Sequence, residues 1–123
     1  MAIGPLNQFE KECSMAIHTV LAEVAVSDLE ASLAWYEQLL GSPADRRPME
    51  GLAEWQITAS AGIQVWRDSV RAGQGLLTLG VDAMHEHLEL LAARNIAIEA
   101  QTATEFVRTA TVVDPDGNRI TVA

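Results

Sequence analysis

Apolar and polar residues alternate from Val20 to Val26, the period-two pattern of a strand with one covered face. The period then lengthens: Leu29, Leu33, Tyr36 and Leu40 recur at helical spacing, and Gly41 with Pro43 ends the run. Ser27 and Glu30 stand in a capping-box arrangement, two side chains that would satisfy the free amides of a helix start. Residues 53 to 59 and 63 to 67 read as two strands joined by a turn at Ser60-Ala61-Gly62, with a short extra strand expected around Met49.

The pattern then repeats. Residues 17 to 68, moved forward by 55 positions, align with 72 to 123 without a gap, in apolar pattern more than in letters. The second unit has a strand over 76 to 81, a helix capped by Asp82 and stopped by Asn95, and Met84, Leu88 and Leu91 on its covered face. Strands over 108 to 113 and 119 to 122 flank Asp114-Pro115-Asp116-Gly117, a turn with proline where φ of about −65° is wanted and glycine at its close. The expected fold is α+β: strand, helix, then two or three antiparallel strands, twice, with the helices on one face. A unit of this size cannot bury its own apolar face, so the copies pack on each other or on a partner chain. Residues 72 to 123 form module two and residues 17 to 70 module one of a single domain. Residues 1 to 16 read as an extension outside the repeat, with Met15 a natural start.

Composition narrows the function classes. A net charge of −9 leaves no basic stripe to displace counterions from phosphates, so nucleic acid is not an expected partner. The acidity suits a cationic small molecule, or it serves solubility alone. A single cysteine, Cys13, cannot close an internal disulfide, which fits a reducing cytoplasm, and no apolar run is long enough to suggest a membrane span.

Two motifs, residues 26 to 36 (Val-Ser-Asp-Leu-Glu-Ala-Ser-Leu-Ala-Trp-Tyr) followed by Leu39-Leu40-Gly41, and Asp114-Pro115-Asp116-Gly117-Asn118-Arg119-Ile120, together resemble the vicinal oxygen chelate superfamily over residues 17 to 123. That superfamily includes glyoxalase I, extradiol dioxygenases and the fosfomycin- and bleomycin-resistance proteins. The resemblance implies paired βαβββ modules whose sheets curl around a cleft, usually in a homodimer. In the enzymes it also implies a divalent metal there, held by His or Gln, Glu, His and Glu from the first and last strands of each module.

Carried over residue by residue, that ligand set fails. The first-strand positions are Leu21 and Leu76; the last-strand positions are Trp66, with Gln64 as same-face alternative, and Thr121. Leucine has no lone pair, and a threonine hydroxyl is a poor ligand. His85 and His87 are two apart at a helix start and point differently, so they read as solvated or locally bonded, and His18 falls on the face opposite Leu21. The expectation is therefore no bound metal and no cofactor.

Strand alternation sorts the cleft. With Ala22, Val24, Val26, Leu77, Leu79 and Val81 against the helices, Glu23, Glu54, Gln56, Gln64, Trp66, Thr78, Thr109, Thr111, Arg119 and Thr121 are left as candidate ligand-binding residues. Glu23 and Glu54 would anchor a cation and Trp66 would stack on it. Alternatively, Glu23 pairs with Arg119 and Trp66 fills a collapsed core. Trp35 reads as core or interface. The leading reading is a metal-free small-molecule-binding protein resembling bleomycin-resistance proteins, sequestering or carrying an aromatic or cationic ligand. The others are a lyase, isomerase or oxygenase with a noncanonical metal or with Glu23 or Glu54 as general base, and a regulatory dimer without ligand.

Overall fold

The computed structural model describes residues 16–123. The extension expected over 1 to 16, with Cys13 and Met15, thus lies outside the described residues except for Ala16. The elements run β1 (Val20–Val26), α1 (Leu29–Leu40), β2 (Leu52–Thr58), β3 (Ala61–Arg67), β4 (Leu76–Leu79), α2 (Met84–Ala93), β5 (Ala100–Ala103), β6 (Arg108–Val113) and β7 (Arg119–Val122). The helices start 55 residues apart, as do the ends of β2 and β6 and of β3 and β7.

Each module builds one open mixed sheet. In the first the order is β1-β3-β2, with β1 parallel and β2 antiparallel to β3; in the second it is β4-β7-β6-β5, with β4 parallel to β7 and the other pairs antiparallel. The apolar faces of both sheets and the inner faces of both helices share one core. Val24, Val26, Tyr36, Leu39, Trp55, Ile63 and Val65 meet Leu91, Ile96, Val112, Ile120 and Val122 there. Trp35 packs against this core, edge-on to Tyr36 at 4.9 Å between ring centroids. No helix among the described residues is long and apolar enough to cross a membrane.

Local chemistry departs from the sequence expectation at four places. The N-cap of α1 is Asp28, whose carboxylate accepts from the Ala31 amide at 3.2 Å; Ser27 instead gives its amide and hydroxyl to Asp116 of the second module, so the capping box does not form. The N-cap of α2 is Ala83, not Asp82, and no side chain caps that helix. The strand expected near Met49 is reduced to one bridge, between Arg46 and Glu54. Finally, β5 had no signal in its sequence: Ala-Gln-Thr-Ala lacks apolar alternation and is exposed throughout, and it is a strand only because β6 offers it a partner edge. Helix ends follow expectation, with Gly41 (φ 84°) and Asn95 (φ 60°) in left-handed conformation.

Candidate functional site

Register across the first sheet places Glu23, Gln64 and Glu54 in one row, opposite each other on β1, β3 and β2. Their sequence neighbours Val24, Val65 and Ala53 are buried in the core, so this row lies on the face away from the helices. The next row is Ala25, Trp66 and Leu52. In the second sheet Thr78, Thr121 and Thr111 form a row, with the hydroxyls of Thr111 and Thr121 3.3 Å apart; Thr109 bonds to the Thr102 hydroxyl on β5, and Arg119 lies one row along. The ten candidates thus fall into two groups of five on two open sheets. Neither sheet closes on itself, and Gln56 and Thr78 line one cavity between the modules.

The two carboxylates differ in what surrounds them. Glu54 is buried and fully engaged: Gln64 Nε2 donates to its Oε1 at 2.7 Å, and the Arg46 guanidinium donates to Oε2. The Gln64 bond first, and then Arg46, hold its carboxyl below the usual range, the opposite of what a general base near neutrality needs. Glu23 is exposed, and no Lys, Arg or His among the described residues comes within 4.0 Å of it. Arg119 stands 3.8 Å from Glu99 instead, so the expected alternative of a Glu23–Arg119 pair is not formed. Glu23 lines a hollow of about 300 Å³ with Ala25, Trp66, Arg71, Gln74 and Gly75, in which Arg71 is already paired to Asp68 at 2.9 Å. A neighbouring hollow of about 270 Å³ holds Leu21, Arg46, Glu54, Gln56 and His18.

The metal of the family's enzymes does not fit these residues. Leu21 and Leu76 offer no donor atom, the Thr121 hydroxyl is turned to Thr111, and Gln64, whose amide nitrogen is held by Glu54, leaves one neutral oxygen where the resemblance implies four ligands. Among the described residues no three His, Cys, Asp or Glu side chains gather in a cluster. His85 faces Glu89 at 3.1 Å, one turn along its own helix.

The two sequence motifs meet in space. Asp114 accepts from the Tyr36 hydroxyl (2.7 Å), from Asn118 Nδ2 (2.8 Å) and from the amides of Asp116 and Asn118 (2.9 Å each). Asn118 in turn donates to the Ala25 carbonyl at 2.8 Å and accepts from the Gly75 amide at 2.7 Å. The helix motif of one module and the turn motif of the other are thus halves of one buried latch.

A larger cavity, of about 570 Å³, lies between the helix ends and the sheets, with residues of both modules in its wall. The candidates Gln56 and Thr78 stand in its wall with Arg94 and with His87, which is half-buried there and not solvated as the sequence suggests. No sequence pattern assigns His87 or Arg94 to a cavity, because only the packing of α2 against module one brings them there.

Residues 19–123 match the glyoxalase-like domain. The chain belongs to that family. A glyoxalase/bleomycin resistance protein from Catenulispora acidiphila is 32% identical, with 85% of this chain and 95% of that one covered and a TM-score of 0.81. TnmS3, an antibiotic-binding protein from a Streptomyces strain, is 25% identical over 85% of this chain and 93% of its own, with a TM-score of 0.69. A lactoylglutathione lyase from Agrobacterium tumefaciens shares the fold at 19% identity and TM-score 0.69, covering 84% of this chain and 90% of that one. None of the curated proteins matches at a significant level. The vicinal oxygen chelate resemblance read from the two motifs is therefore the correct family placement.

Proposed function

We propose that this glyoxalase-like domain is a metal-free small-molecule-binding protein that sequesters or carries an aromatic, cationic ligand on the sheet face away from the helices. The observation that carries the reading is the pairing of Glu23 and Trp66 in one hollow: an unneutralised carboxylate beside an indole face, the two elements of cation recognition. Gln64 and Glu54 extend the same polar row, and the threonine row with Arg119 gives the second sheet hydroxyl and guanidinium contacts for orienting a ligand. An antibiotic-binding protein among the similar structures supports small-molecule binding. The open sheets favour a homodimer in which a second copy completes the enclosure, and light scattering tests that state. A cytoplasmic setting belongs to the same reading.

The test is titration of tryptophan fluorescence with N-methylacridinium and with neutral acridine. Saturable quenching by the cation is expected, weakened about tenfold by Glu23→Gln and abolished as a signal by Trp66→Phe. Equal affinity for the cationic and neutral compounds, or no binding of either, overturns the proposal. The enzyme reading rests on Glu23 alone, because Glu54 is bound on both oxygens.

A further inference from the structure

The 570 Å³ cavity between the helices and the sheets is lined mainly by apolar groups, among them Leu39, Trp55, Leu77, Leu79 and Leu90. Its size falls within the range of about 300–1,000 Å³ that encloses small organic ligands. One wall is cationic in a protein of net charge −9. Arg94, at the C-cap of α2, reaches toward the end of α1, where a nitrogen of its guanidinium is 3.5 Å from the Leu39 carbonyl. That long contact is the only hydrogen bond of its side chain among the described residues, and no carboxylate among them lies within 4.0 Å of it. His87, on the same wall, is held below its ordinary value by burial first and by the Arg94 charge second, as expected where a cation has no neutralising anion. Leu90 in its wall is exposed, so the cavity reaches solvent.

We propose that this cavity is a second binding site, taking an amphipathic carboxylate whose apolar chain lies between the leucines and Trp55 and whose head group pairs with Arg94. A carboxylate matches a guanidinium in both geometry and charge, and the apolar walls reward the chain. Glu23 and Trp66 do not line this cavity, although Gln56 and Thr78 from their face reach its wall.

Isothermal titration calorimetry with dodecanoate and dodecanol below their aggregation limits tests it. Dodecanoate is expected to saturate at one per chain, and Arg94→Gln is expected to weaken it about tenfold while leaving dodecanol unchanged. Leu90→Glu, at an exposed position of the mouth, is expected to weaken dodecanoate selectively without disturbing the core, and so does not depend on the Arg94 variant folding. Glu23→Gln should leave dodecanoate binding as it is, so failure here and failure of the acridinium titration are separate results. The proposal is overturned if dodecanoate does not bind, or if both charge variants leave it unaffected. A dimer that refuses dodecanoate and covers Leu90 also overturns it, in favour of a second copy as occupant.

Discussion

Asp114 accepts four hydrogen bonds in the interior, and one of them comes from Tyr36, the single tyrosine of the chain. Burial, then the bond to Asp114, push the Tyr36 hydroxyl far above its ordinary 10.0. The folded state therefore holds this proton where the unfolded state releases it. Stability is fully present below pH 10.0 and declines as pH rises beyond it. Ultraviolet phenolate absorbance reads this directly: ionisation is expected to coincide with unfolding followed by circular dichroism, and an independent titration near the ordinary value would contradict it. Tyr36→Phe leaves a carboxylate oxygen short of one donor, and a loss of about 1–3 kcal/mol in urea unfolding is expected. The importance of Tyr36 was legible as core from its helical spacing. Its bond to a residue 78 positions away was not, because sequence periodicity reports which face is covered and not by what.

At the scale of elements, the two helices differ at their starts although the repeat aligns them. Asp28 caps α1 through its side chain, whereas Asp82 stands one residue ahead of the true N-cap Ala83 and bonds to no amide there. Asp28→Ala is expected to cost about 1 kcal/mol, and Asp82→Ala to change stability by less than about 0.5 kcal/mol, both by urea unfolding. Equal losses would mean that α2 is capped after all. A capping residue is read from a pattern of two or three positions, and a shift of one residue leaves that pattern intact while breaking the geometry. Ser27 shows the same limit from the other side: its hydroxyl fits the capping pattern but is taken by Asp116 of the other module. Strand β5 lies beyond sequence reading for a related reason, since its pairing with β6 and not its composition makes it a strand.

For the molecule as a whole, the junction between modules decides what the sheets can present. Asn118 ties β1 to the start of β4 through the Ala25 carbonyl and the Gly75 amide, and residues of both strands line the 570 Å³ cavity. Asn118→Ala removes both ties and strands a buried amide and carbonyl. A loss of about 2–4 kcal/mol is expected, with the urea m-value unchanged if both modules unfold as one unit. A biphasic transition would show that this residue is what couples them. Of the ten sequence candidates, Gln56 from one sheet and Thr78 from the other meet in the wall of that cavity.

The sequence alone determined the two-module α+β plan, its 55-residue ruler and the family. These follow from period, turn chemistry and side-chain type, which are local properties. Tertiary structure decided that Glu54 is spent on Arg46 and Gln64 while Glu23 is left beside Trp66, and that Arg94 and His87 meet a cavity between the modules. Those outcomes depend on which distant groups come within hydrogen-bonding range, and partners are set by how the elements pack, not by the order of residues within any one of them.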